Sequence, residues 1–158
     1  MNPLFDYPNS VETIQGEISA IPQIVEAIQS LEPKEFYLLR GDLGAGKTTL
    51  SKELLNRWGI SEAVMSPTFS LVNPYTLPNG TKLYHHDWYR LKDPAELFDA
   101  GIEEILNEYP SVHLIEWPDI GDFILRDLLQ NFHAKMMEIQ ILHHGHQREY
   151  RIIQYKRE

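Results

Sequence analysis

Residues 41–50 read GDLGAGKTTL, which sets Gly41, Gly46, Lys47 and Thr48 at the spacing glycine, four residues, glycine-lysine-threonine. This spacing serves phosphate chemistry. Glycines let backbone approach an anion without an intervening Cβ, and a lysine adds charge where β and γ phosphates would lie. The backbone N–H groups from Leu43 through Gly44, Ala45, Gly46, Lys47, Thr48 and Thr49 are therefore read as the phosphate cradle. The Thr48 hydroxyl is the candidate magnesium ligand, and Thr49 can donate to the α phosphate.

Two carboxylates can complete such a site. Glu116 closes the apolar run VHLIEW (residues 112–117), where P-loop proteins more often carry Asp. It can reach a metal directly, reach it through water, act as a base, or simply cap a helix. Asp87 lies in YHHDWYR (residues 84–90), where it can hold or orient a water, or pair with Arg90. His85 and His86 are adjacent, so on a strand they face opposite sides and do not share one ion. His143, His144 and His146 fall at an expected hairpin tip and are read as solvated turn residues; no zinc is assigned.

These side chains need elements to hold them. FYLLRG (residues 36–41) is short, apolar on both faces and followed by the glycine loop, as a buried parallel strand should be. Leu50, Leu54 and Trp58 then recur every fourth residue and define one helical stripe, with Gly59 as its C-cap. Asn9 and Ser10 are read as an N-cap for VETIQGEISAIPQIVEAIQSL, a helix bent or split at Gly16 and Pro22. Asn79-Gly80 predicts a hairpin between TFSLVNPYTL and TKLYHHDWYRL. Asp93-Pro94 opens a helix over AELFDAGIEEIL with Phe98, Ile102 and Ile105 on one face. VHLIEW is a second buried strand, a short helix follows around DFILRDLL, and MMEIQIL and EYRIIQY form a closing hairpin. The expected fold class is α/β: a three-layer P-loop NTPase-like domain with a mixed parallel and antiparallel sheet.

With 158 residues, 42% of them hydrophobic, and no repeat or linker, residues 1–158 are read as a single domain. The net charge of −9 opposes holding nucleic acid through the chain's own phosphate contacts. Without cysteine, thiolate catalysis and disulfides are excluded. No signal-peptide pattern or apolar stretch of about 20 residues is present, so no membrane association and a cytoplasmic location are expected. An Asn-Lys-x-Asp tetrad for guanine is missing, which favours adenine. Arginines beyond the P-loop helix are dispersed, which weighs against the lid of a small-molecule kinase.

GDLGAGKTTL, SPTFSLVNPY, YHHDWYRLKDPAELFDAGIEEIL and LIEWPD occur in that order, and together they resemble the TsaE (YjeE) family, bacterial ATPases of tRNA threonylcarbamoyladenosine biosynthesis. The resemblance runs from about residue 10 to at least residue 118. It implies a low-turnover ATPase with ATP/ADP and Mg2+ as cofactors and the TsaD and TsaB proteins as partners. Hydrolysis would reset that complex between rounds of modification at position 37, with tRNA contacted only indirectly through the partners. Lys47 and Thr48 then take the phosphate and magnesium roles, Glu116 the second magnesium position, and Asp87 the aspartate of the family's HxDxYR motif, implicated in hydrolysis. The resemblance places Thr68 near the γ phosphate and Thr13 near the base, each with an ordinary structural alternative. Trp117 is partner-facing or a packing residue, and Trp88 stands where relatives commonly carry an aliphatic side chain. A small-molecule kinase and a nucleotide-gated protein-binding module are the alternatives.

Overall fold

The computed structural model describes residues 4–5, 8–60 and 70–156. One seven-stranded sheet runs through them: β1 (Ser10–Gly16), β2 (Phe36–Gly41), β3 (Val72–Thr76), β4 (Lys82–Asp87), β5 (Ser111–Glu116), β6 (Met136–His144) and β7 (Gln147–Tyr155). The spatial order is β1-β7-β6-β2-β5-β4-β3. The central pairs β6–β2, β2–β5 and β5–β4 are parallel, while β1–β7, β6–β7 and β3–β4 are antiparallel. The mixed sheet follows from local chemistry. Strands joined through helices return parallel, and those joined by the Asn79-Gly80 and Gly145 turns return antiparallel.

Strand alternation sorts the core into two layers. From β2, Tyr37 and Leu39 face α1 (Ile21–Gln29) and α2 (Lys47–Arg57), packing with Ile24, Val25, Leu50 and Leu54. Phe36 and Leu38 face the opposite side with α3 (Ala95–Asp99), α4 (Ile102–Leu106) and α5 (Asp122–Phe132), meeting Leu97, Ile102, Leu125 and Leu128. Helices thus cover both faces, in agreement with the three-layer expectation.

Two expected elements differ. Residues 10–16 form β1, not the start of a helix, and only residues 21–29 carry the α-helical turns. Asn9 and Ser10 accordingly do not cap a helix: the Asn9 N–H bonds the Gln154 carbonyl at 3.0 Å, and β1 pairs with β7 along its whole length. Tertiary pairing overrides the apolar spacing that suggested helix. The helix after Asp93 is also broken, because Gly101 adopts φ 71° and separates α3 from α4. The break turns Phe98 outward (47% exposed) while Leu97 fills the core. The start is as expected: Asp93 accepts the Ala95 N–H at 2.8 Å, and Glu96 returns to the Asp93 N–H at 3.1 Å, a capping box.

Beneath β4 and β5, on the α5 side, lies a histidine pair. His86 Nε2 is 3.1 Å from His113 Nδ1, and His113 Nε2 is 2.8 Å from the Ser111 hydroxyl. Burial, then the neighbouring His113 and His85, pushes His86 well below the ordinary imidazole value. Burial holds His113 at about 4. The unfolded chain therefore binds protons between pH 6.5 and 4 that the folded chain refuses, so stability falls as pH drops through that window. At about 1.4 kcal/mol for each pH unit, the lowered pKa of His113 alone accounts for about 3 kcal/mol. Urea midpoints at about pH 7 and about pH 4.5 should differ accordingly, and His113→Asn should flatten the difference; an equally steep variant would contradict this source.

Candidate functional site

The glycine loop begins where β2 ends, at Gly41, and ends where α2 begins, at Lys47. Its glycines are required by shape. Gly46 adopts φ 107°, and a Cβ there would stand 2.6 Å from Ile18 Cδ1. Ala45 is fully buried, and its carbonyl accepts a hydrogen bond from Arg148 Nε at 2.9 Å, while Leu43 projects outward at 74% exposure. Lys47 is buried, donating to the Gly41 carbonyl at 2.5 Å and the Asp42 carbonyl at 2.9 Å, with its ammonium 3.9 Å from the centre of the Trp117 ring. Burial lowers its pKa, opposed by Glu116, Asp42 and Asp87.

Sheet register delivers the carboxylates. Leu39, two residues before the loop, is opposite Glu116 on β5, and Glu116 is in turn opposite Asp87 on β4. The ends of β2, β5 and β4 thus lie side by side, which is where open α/β sheets bind ligands. Backbone bonds fix the exit: the Trp88 N–H donates to the Glu116 carbonyl at 3.1 Å and the Trp117 N–H to the Leu39 carbonyl at 3.3 Å.

Glu116 is 1% exposed and divides its oxygens: Oε1 accepts the Thr48 hydroxyl at 3.0 Å, and Oε2 lies 2.7 Å from His85 Nε2. Asp87 Oδ1 accepts the Tyr89 N–H at 3.1 Å. Burial raises the Asp87 carboxyl, and Glu116 raises it further, although the Tyr89 N–H pulls the other way. A carboxylate so placed is a better proton acceptor than an exposed one.

Lys47, Thr48, Thr49, Asp87, Glu116 and Arg148 line one cavity of about 480 Å³, together with Leu43, Gly44 and Gly46 of the loop. This volume is within the range of small-molecule sites. The N-terminal end of α2 and the Lys47 ammonium suit an anion. The Thr48 hydroxyl and Glu116 carboxylate are hard oxygen donors of the kind magnesium takes. The residues present therefore fit both groups.

Thr13 sits on exposed edge strand β1 opposite Arg151, and it is not among the residues lining this cavity. Thr68 lies outside the described residues. His85 and His86 do face opposite sides, and His143, His144 and His146 are all exposed at the β6–β7 tip. Sequence reasoning missed Arg148, 103 residues from the loop carbonyl it touches, and Ile18, which only the β1–α1 turn brings to Gly46. It also missed His85 as the partner of Glu116. The signal was available, since His85 stands two residues before Asp87 and on a strand shares its face.

Strand, glycine loop and helix at the carboxyl ends of a parallel core define a P-loop NTPase-like α/β domain. The crystal structure of Bacillus subtilis YdiB shares this fold with a TM-score of 0.63 at 26% identity, covering 92% of this chain and 88% of that one. The family model described as threonylcarbamoyl adenosine biosynthesis protein TsaE matches residues 16–152, and the chain belongs to the TsaE family. The match takes in the closing strands, which by sequence agreed only in character. Proteins named tRNA threonylcarbamoyladenosine biosynthesis protein TsaE in several bacteria are similar to this chain. That of Rickettsia typhi is 40% identical over 111 residues, 70% of this chain and 75% of the relative. The Haemophilus influenzae protein is 47% identical over 95 residues, 59% of each chain. In Bacillus subtilis the figure is 39% over 104 residues, 64% of this chain and 60% of the relative.

Proposed function

We propose that this chain binds ATP with Mg2+ at the Lys47–Thr48–Glu116 site and hydrolyses it slowly in the service of threonylcarbamoyladenosine formation at tRNA position 37. One observation carries the reading. A buried glutamate is held against the P-loop threonine at 3.0 Å, with a second carboxylate, Asp87, beside it on the adjacent strand. Four roles follow. Loop N–H groups and Lys47 bind the phosphates, Thr48 and Glu116 hold magnesium, Arg148 braces the loop through the Ala45 carbonyl, and Asp87 orients water. Magnesium, when bound, offsets charge on the β and γ phosphates. Attack by the water oxygen on the γ phosphorus breaks its bond to the bridging oxygen, Asp87 takes the water proton, and ADP leaves.

The names of the relatives support the pathway. We place the chain with TsaD and TsaB, its hydrolysis resetting that complex between rounds, in the cytoplasm. Its charge of −9 favours tRNA being held by those partners. Among the described residues no helix is long and apolar enough to cross a membrane.

Phosphate release from ATP, measured with and without the TsaD–TsaB pair, tests the proposal. Slow release to water that changes when the pair is added is the expected result, with a non-hydrolysable analogue binding but failing to support repeated rounds. Phosphate appearing on a small acceptor, or equal cycling with the analogue, would overturn it.

A further inference from the structure

The Glu116 carboxylate has two oxygens and two separate tasks. Oε1 points to Thr48, on the phosphate-loop side, and Oε2 is taken by His85 Nε2 at 2.7 Å. His85 is fully buried on the face of β4 that carries Leu83 and Asp87, and its register partners are Leu114 on β5 and Asn73 on β3. Because its neighbour is a carboxylate, Nε2 donates. The other ring nitrogen, Nδ1, is buried and finds no hydrogen-bond partner among the described residues. An imidazole with one nitrogen left unsatisfied is an expensive way to fill a buried position that leucine would fill without that cost. What the ring supplies, and leucine lacks, is the single N–H aimed at Glu116.

We propose that His85 is a positioning residue for the magnesium site, holding Oε2 of Glu116 so that Oε1 is presented beside Thr48. The inference rests on the nucleotide-site reading above. With Oε2 tethered, the buried carboxylate keeps one rotamer, and the oxygen meant for the metal needs no reorganisation on binding. Without the tether, Glu116 retains its burial and loses its orientation. Partners that orient metal ligands in this way typically contribute about 10–100-fold in metal affinity.

The test separates metal from nucleotide. ADP affinity is measured by calorimetry in EDTA and again in saturating Mg2+, for the wild type, His85→Leu and His85→Gln. Leucine conserves bulk and removes the donor; glutamine restores an N–H at similar reach. The expected result is that His85→Leu binds ADP in EDTA within about twofold of wild type, but loses about 10-fold or more of the Mg2+-dependent gain. His85→Gln should recover most of it, and thermal midpoints confirm that each variant is folded. If His85→Leu keeps the full Mg2+ gain, the inference is overturned while the nucleotide site stands. Loss of ADP binding in EDTA by both variants, with the Mg2+ gain intact, would likewise overturn it by making the ring a packing residue. If wild type binds no ADP, the nucleotide-site reading fails and this inference fails with it; if it binds ADP without a Mg2+ gain, the inference alone is overturned.

Discussion

Lys47→Ala is expected to weaken ATP binding by about 100-fold or more, whereas Asp87→Asn should leave binding within a few-fold and slow turnover by about 10²–10⁴-fold. The two residues share one cavity, so the contrast tests roles and not location. Lys47 is buried, and its ammonium sits between loop carbonyls and the Trp117 ring, within reach of the field of Glu116, Asp42 and Asp87. Removing it leaves those carboxylates facing incoming phosphates without the loop's own ammonium, and a charge-assisted contact worth about 3 kcal/mol disappears. Asp87 carries no comparable burden in binding. Its carboxyl, raised by burial, works only when ionised, so wild-type turnover should decline as pH falls through that raised value, and the asparagine variant should lose this acid limb. Calorimetry for binding and single-turnover phosphate release for chemistry give the two readings. Undiminished turnover in Asp87→Asn would make the aspartate structural; ordinary affinity in Lys47→Ala would refute the phosphate site.

The parts of this site closest together in sequence were the most legible. GDLGAGKTTL names its own geometry, since strand, glycines and helix follow one another without a tertiary partner to consult, and the structure places them as read. Glu116 could be suspected because it closes an apolar run, and Asp87 because it stands amid aromatic residues at an expected strand end. That they are register neighbours is a property of strand order, β2-β5-β4, which no local pattern records. The same limit explains the errors. Residues 10–16 have a spacing compatible with helix, and only β7, contributed from the far end of the chain, makes a strand of them. Gly101 was tolerable within a helix by propensity, yet the turn it makes decides that Leu97 and not Phe98 enters the core. Arg148 acts through a long-range contact to Ala45 that no local pattern announces, whereas His85, which reaches Glu116, could have been suspected from sharing a strand face with Asp87.

Arg40→Met should destabilise the fold by about 3–5 kcal/mol, a large share of the about 5–15 kcal/mol that a domain of this size possesses. The guanidinium is 3% exposed on β2, and each of its nitrogens faces a carboxylate: Asp119 at 2.7 Å, Asp122 at 2.6 Å and Glu138 at 2.8 Å. Burial alone would lower the guanidinium pKa, but Glu138, followed by Asp122 and Asp119, more than reverses this. Glu138 is the costly partner to abandon. It is fully buried, its contact with Arg40 is an ion pair without hydrogen-bond geometry, and although it accepts hydrogen bonds from Gln140, the Tyr155 hydroxyl and the Leu4 N–H, none of these brings a positive charge. Methionine conserves length and removes every donor, so Glu138 would be left ionised in the core or protonated at a cost. Glu138→Gln in the Arg40→Met background should restore part of the loss, and the coupling energy from the four-variant cycle in urea measures the pair directly. A loss below about 1 kcal/mol in Arg40→Met would place this arginine with weak surface pairs. The effect should also reach the nucleotide site. Asp119 and Asp122 follow closely on Glu116 and Trp117, and Trp117 holds a left-handed backbone at φ 57° that a residue with a side chain adopts only when its surroundings enforce it. Arg40 pins the far side of that turn. At a temperature where Arg40→Met remains folded, its nucleotide affinity should therefore fall together with its stability.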